Sequence, residues 1–294
     1  MSNGHSVYRL SSTRELCINN SLNQKKAAVL YGDIDYDVEN EQNSNHAKDN
    51  QSSPHKDIKD MVQIRAAITD ELPPLPGTKN EVDSIAIFFT QSDRSVRIFT
   101  KGLASESSVG SLSSGNYTIL HIATHGYYLS SSESEGSFLS ILNRNSFTEN
   151  QEDLSLLRSG LFFAGANATL SGDMIMNSDN DGILTAKEVA NIDLHTFEMV
   201  SLSACQTGLG DVSGDGVFGI QRGFKKAGVK SLLMSLWNVD DRATCALMTE
   251  FYRCWLGGLC KYDALECAKS KVKSIKGWED PKFWAAFILL DGVN

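Results

Sequence analysis

The sequence predicts an α/β domain built on a largely parallel sheet with helices on both faces, and two observations carry that expectation. Apolar runs of strand length recur along the chain, separated by polar or helical stretches. Several of those runs lack polar alternation, as strands covered on both faces do. The candidate strands are 6–10, 26–31, 95–100, 118–123, 198–202, 231–236 and 284–290.

Helices fall between them. In 79–89, Val82, Ile85 and Phe89 recur at near-helical spacing after a turn over 72–77. A second helix, 217–227, follows a glycine-rich loop. Helices over 244–256 and 262–275 complete the set, the first apolar along Ala246, Leu247, Phe251 and Trp255. Residues 37–59 and 130–153 offer almost nothing to bury and read as polar surface insertions in one domain spanning 1–294.

At 294 residues, with 41% hydrophobic and 21% charged, the chain can bury a sizeable core without metals or disulfides. Lys and Arg total 27 against 36 Asp and Glu, for a net charge of −9, and no basic run tracks phosphates, which argues against a nucleic-acid ligand. No apolar stretch reaches the ~20 residues that cross a bilayer, and no signal segment opens the chain. A membrane role is not expected and a cytoplasmic location is. Six cysteines, at 17, 205, 245, 254, 260 and 267, show no Cys-x-x-Cys spacing, so no metal site or redox motif is expected. Four of them fall in the one stretch, 245–267, that reads as largely helical, where a free Cys is ordinarily a small buried hydrophobe.

Two segments carry chemistry. The strand beginning at Thr118 stays apolar to Ala123 and ends in Thr124-His125-Gly126, which delivers His125 to the carboxyl edge of the sheet, where open α/β folds bind ligands. A second apolar strand ends in Ser203-Ala204-Cys205 before a glycine turn, at the same edge. A thiol within hydrogen-bond reach of an imidazole can be held as thiolate and attack a carbonyl, the imidazolium later protonating the leaving amine. His121, four residues before His125, reads as a hydrogen-bonded core histidine, and His195 as exposed.

The strings His121-Ile-Ala-Thr-His125-Gly126, Asp181-Gly-Ile-Leu-Thr-Ala-Lys-Glu188, Leu202-Ser-Ala-Cys205-Gln-Thr-Gly208, Gly223-Phe-Lys-Lys-Ala-Gly228 and Ser235-Leu-Trp-Asn-Val-Asp-Asp241 together resemble the CHAT domain. That family is caspase-like, related to separases and commonly fused behind tetratricopeptide repeats. The resemblance runs from about Val7 to Gly292. It implies a caspase-hemoglobinase-like fold, a cysteine endopeptidase with a His125–Cys205 dyad, no cofactor, and a protein or peptide substrate. It also implies a possible upstream repeat domain or regulatory partner, since members usually begin with another strand and turn and the chain looks cut from a longer protein. The 80 residues from His125 to Cys205 exceed the ~50 of caspases, and the 130–153 insertion accounts for most of the excess.

In this reading the oxyanion meets the N–H groups of Gly126 and Cys205. No side chain presents itself to orient His125, and caspase relatives use a backbone carbonyl. Substrate contacts are assigned to Ser235, Trp237, Asp241 and Asp211. Asp241 stands where separase-like proteins set an acidic residue near a basic substrate side chain. Asp240 or Asp241 can equally cap the helix opening near Ala243, and other CHAT proteins cut after apolar residues.

Rival readings remain. Residues 177–188 follow the calcium-loop template with Asn177 first, but also read as a turn and a short helix with Thr185 and Glu188 as a capping box. Gly214, Gly216 and Gly219 have dinucleotide-loop spacing, which makes a nucleotide-binding module an alternative, although about ten residues separate them from the preceding strand. A flexible active-site loop accounts for them better. A caspase-like scaffold that signals by binding, without catalysis, is the third.

Overall fold

A computed structural model describes residues 8–11, 27–38, 71–129, 156–171, 180–204, 211–213 and 216–291. Its first elements are β1 (Ala28–Tyr31), α1 (Pro76–Gln91), β2 (Val96–Phe99), α2 (Glu106–Gly110) and β3 (Ile119–Ala123). They are followed by β4 (Gly126–Tyr128), β5 (Ser159–Phe162), α3 (Ala166–Ser171), β6 (Ile183–Thr185), α4 (Ala186–Val189) and β7 (Met199–Ser203). A hairpin, β8 (Asp211–Ser213) and β9 (Gly216–Phe218), leads into α5 (Ile220–Lys226) and β10 (Ser231–Ser235). Helices α6 (Asp241–Leu256) and α7 (Lys261–Lys273) precede the last strand, β11 (Phe287–Leu290).

The main sheet has six strands in the order β11-β10-β7-β3-β1-β2. All its pairings are parallel except β10–β11. Every residue of β1, β3, β7 and β10 is buried, which is why their sequences show no alternation. Helices cover both faces. Ala28, Leu30, Ile119, Met199 and Leu233 pack under α1, α6 and α7, while Val29, Tyr31, Leu120, Val200 and Leu232 face α4 and α5. The α/β class and the mainly parallel sheet are as the sequence predicts.

Three further strands form a small antiparallel sheet, β4-β5-β6, beside the end of β3. The expected strand at 6–10 is reduced to a single bridge between Arg9 and Leu290, with residues 1–7 outside the described chain. The helix expected from Val217 begins at Ile220, because 216–218 pair with 211–213. Residues 39–70, which hold most of the first polar insertion, and 130–155, which hold the second, lie outside the described residues, as do His5, His46, His55 and Cys17.

Two motif glycines have steric reasons. A Cβ on Gly223 would stand 2.5 Å from Ala186 O, so the residue lets α5 lie directly on α4. Gly228 ends α5 at φ 95°, a left-handed conformation that glycine adopts without strain. No helix among the described residues is long and apolar enough to cross a membrane.

Candidate active site

Strands β3 and β7 are parallel neighbours, with Ala123 opposite Ser203, so the residues that follow each emerge side by side at the carboxyl edge of the sheet. His125 and Ala204 both line a small open pocket there. Cys205 is the next residue after Ala204 and lies outside the described residues. The rest of the wall comes from the start of α1, the start of α6 and the last strand: Thr78, Asp241, Thr244 and Phe287.

The His125 ring is held from the chain segment before α1. Its Nε2 donates to Pro73 O at 2.8 Å, and since a carbonyl only accepts, this contact fixes the proton on Nε2 and leaves Nδ1 as the free base. The Pro73 carbonyl is itself pinned through its neighbour. Asn167 on α3 accepts from Leu72 N at 2.8 Å, donates to Leu72 O at 3.2 Å, and donates to Asp37 Oδ1 at 2.7 Å. Tyr36 supports the other side of the imidazole, with ring centroids 5.2 Å apart and its hydroxyl accepting from His125 N at 3.3 Å. The Tyr36 hydroxyl is also bonded to Thr124 Oγ1, which donates to Phe162 O.

Burial lowers the His125 pKa below its ordinary value, against the Pro73 hydrogen bond and the Asp241 charge, both of which raise it. Neutral imidazole is therefore the resting form at neutral pH, as a general base requires. Burial also lifts the Tyr36 hydroxyl to about 12, so it stays a neutral hydrogen-bonding group.

Gly126 opens β4. The pairing of His125 with Phe162, through Phe162 N to His125 O, sets the antiparallel register. Hydrogen-bonded and non-bonded pairs alternate along such a ladder, so the Gly126 N–H turns away from β5.

The two adjacent aspartates divide their work. Asp240 is the N-cap of α6, accepting from Arg242 N and Ala243 N at 3.1 Å each. Asp241 reaches instead to α1, where its Oδ2 accepts from Gly77 N at 2.7 Å. Helix α1 opens on Leu75-Pro76 with no side-chain cap of its own, so Asp241 supplies an acceptor and a negative charge at its N-terminus. Among the described residues it is also the one carboxylate lining the pocket.

Of the other expected substrate contacts, Ser235 lines the pocket, with its hydroxyl donating to Ala204 O at 2.7 Å. Trp237 is not among the lining residues. Its indole N–H donates to Lys282 O at 3.1 Å, which anchors the ring against the turn before β11. Asp211 lies in β8, its side chain outside the described residues, as is all of Asp215.

His121 is fully buried, facing Glu81 at 2.8 Å with the two groups turned out of hydrogen-bond alignment, and edge-on to Tyr252. It lies in the core as expected, but a carboxylate from α1 faces it in place of the expected hydrogen bond. His195 is exposed beside Asp193. Thr185 and Glu188 form the expected capping box, and the Asp181 carboxylate is bonded to Ile183 N at 2.9 Å. Residues 177–179 of the calcium template fall outside the described residues. Of the dinucleotide-like glycines, Gly216 sits in a hairpin strand and Gly219 caps α5. An antiparallel hairpin thus stands where a nucleotide loop needs a tight strand-to-helix turn, and Gly214 falls outside the described residues.

Sequence reasoning missed Pro73 and Asn167. A backbone carbonyl has no side-chain signature, and Asn167 sits in a short helix that no apolar periodicity announces.

An α/β chain that brings a half-buried, carbonyl-bound histidine to the sheet edge beside a strand running into Cys205 has the outline of the family its motifs indicate. The chain belongs to the CHAT domain family, which matches residues 5–292. It is similar to tetratricopeptide repeat protein 28 of Homo sapiens, 35% identical over 108 residues, and to the same protein of Mus musculus, 33% identical over 108. Those matches cover 37% of this chain and 4% of the length of each relative. Among solved structures, the Arg specific cysteine proteinase gingipain R aligns over 90% of this chain and 45% of its own, with 7% identity and a TM-score of 0.43.

Proposed function

We propose that this chain is a caspase-like cysteine endopeptidase domain. The observation that carries the reading is the placing of His125: Nε2 bound to Pro73 O, Nδ1 free, and the ring lining one pocket with Ser203 and Ala204, the two residues before Cys205. In the proposed reaction His125 Nδ1 takes the Cys205 thiol proton, Sγ adds to the scissile carbonyl, and the oxyanion is met by the Gly126 N–H and that of Cys205. Collapse expels the amine, which receives the proton from His125. Water, deprotonated by the same nitrogen, then hydrolyses the thioester. Each oxyanion donor contributes on the order of 10²–10³ in rate.

The Asp241 carboxylate favours a basic residue before the cut, since among the described residues it is the one acidic group in the pocket wall and an Arg or Lys there gains a charge-assisted hydrogen bond. Tetratricopeptide repeat relatives support a longer parent protein in which repeats present the substrate or restrain the site, in a reducing cytoplasm that keeps Cys205 reduced.

The test is a peptide-library cleavage profile of the full chain, with Cys205→Ala and His125→Ala as controls. Cleavage lost in both variants, with a preference for Arg and Lys, is expected. Equal alkylation of all six cysteines by a mild thiol reagent, with no cleavage, would leave the signalling scaffold in place of the peptidase.

A further inference from the structure

Far from the pocket, at the other end of α6, three donor groups converge between two helices. Glu250 and Cys254 are four residues apart on one face of α6, and Cys267 faces them from α7. Their donor atoms all lie within 4.8 Å of one another, and no other such cluster occurs among the described residues. Cys254 Sγ is 3.8 Å from Glu250 Oε1, and Cys267 Sγ is 3.9 Å from the same oxygen.

We propose that Glu250, Cys254 and Cys267 form a binding site for a thiophilic divalent cation, Zn²⁺ above others, with water as the fourth ligand. The distances set the case. Zinc bond lengths of about 2.3 Å to sulfur and about 2.0 Å to oxygen give tetrahedral edges of about 3.8 Å between sulfurs and about 3.5 Å between sulfur and oxygen. The two sulfur–oxygen separations, 3.8 and 3.9 Å, are within a few tenths of an ångström of that edge, and all three donors lie within 4.8 Å of one another, so ligation needs only small rotamer adjustments. Two thiolates select a soft or borderline ion and exclude Mg²⁺ and Ca²⁺, while the carboxylate favours Zn²⁺ over Cu⁺.

The surroundings complete the site. Arg253 holds Glu250 with two hydrogen bonds, Nε to Oε2 at 2.8 Å and Nη2 to Oε1 at 2.6 Å, and its Nη2 also lies 3.4 Å from Cys254 Sγ. A dication with two thiolates and a carboxylate carries one net negative charge, which the guanidinium neutralises while it orients the ligand. Cys254 is buried, whereas Cys267 and Glu250 are half-buried, so the open coordination position faces the solvent side. A bound ion would clasp α6 to α7 and brace the helix whose first residue is Asp241.

The test uses the full chain in a Cys205→Ala background, so that the proposed dyad cannot bind metal, reduced with a phosphine and titrated with Co²⁺ and then Zn²⁺. One Co²⁺ per chain is expected, with a thiolate-to-cobalt charge-transfer band and the intense visible bands of a tetrahedral site, both abolished by Zn²⁺. Cys267→Ser and Cys254→Ser should each weaken apparent affinity by about 100-fold or more, Glu250→Gln by about 10-fold, and Cys260→Ser not at all. Because Cys254→Ser removes a buried group, the half-buried Cys267→Ser, checked for native circular dichroism, carries the comparison. No tetrahedral thiolate spectrum at excess Co²⁺, or a spectrum that survives in Cys267→Ser, overturns the site. So does a Cys254–Cys267 disulfide in the purified chain together with failure of the reduced chain to take up metal.

Discussion

Gly77→Ala tests the pocket carboxylate without changing its charge. A Cβ on Gly77 would stand 2.3 Å from Asp241 Oδ2 and 2.8 Å from Oδ1. The carboxylate must therefore back away by about 1 Å to reach ordinary contact distance, and the 2.7 Å bond from Gly77 N is lost. A hydrogen bond to a charged group contributes about 1.5–3 kcal/mol, and alanine returns up to about 1 kcal/mol over glycine in a helix, leaving a net loss of about 0.5–2 kcal/mol. The chain stays folded. If Asp241 reads a basic side chain, a displaced carboxylate lowers kcat/KM for Arg and Lys substrates by about 10-fold, which is about 1.4 kcal/mol of transition-state binding. Alkylation of Cys205 by a small uncharged reagent should change little, because His125 and its Pro73 contact are untouched. Paired measurement of melting temperature, cleavage of basic and apolar peptides, and alkylation rate separates these effects. Unchanged cleavage of basic peptides in Gly77→Ala, together with a melting temperature equal to the parent's, would refute the reasoning.

Four further outcomes are expected. Asn167→Ala frees Leu72 and with it the Pro73 carbonyl, so kcat should fall about 10-fold with KM nearly unchanged and the acid limb of the pH profile displaced. The acid limb of kcat/KM should lie below 6.5, since burial lowers the His125 pKa, and Asp241→Asn should move it lower still by removing a charge that stabilises the imidazolium; a limb that moves up would contradict the electrostatics. The same depressed pKa means that the unfolded chain binds a proton before the folded one does, so melting experiments should show His125 costing stability as pH falls below 6.5, a cost that His125→Gln removes. Tyr252→Phe strands the buried Ser201 hydroxyl, to which Tyr252 donates at 2.9 Å, and should cost about 1–3 kcal/mol in denaturant unfolding while leaving Cys205 reactivity alone.

How much of this was legible in the sequence depends on how each feature is encoded. The strands of the main sheet announce themselves because burial on both faces demands uninterrupted apolar side chains, as in 119–123 and 231–235. Strands β4, β5 and β6 do not, being three or four residues long, with Gly126, Gly160 and Thr185 where a pattern would need apolar residues. Val217 lies at helical spacing from Phe224, which extends the apparent helix backwards into what is a hairpin strand. At the site, His125 and the strand leading to Cys205 were visible as residue types at strand ends. The division between Asp240 and Asp241 was not, because it is settled by a backbone N–H 164 positions away. The bond from the Trp237 indole to the carbonyl of Lys282 was equally invisible, for a similar reason.

The pocket wall has a chronology. Leu75 and His125 leave the ribosome first, Ser203 and Ala204 much later, Asp241 later again, and Phe287, in the strand that closes the sheet at β10, after all of them. Domains fold as units once enough chain has emerged. The imidazole is thus made well before the cavity it lines, which stays open until β11 inserts.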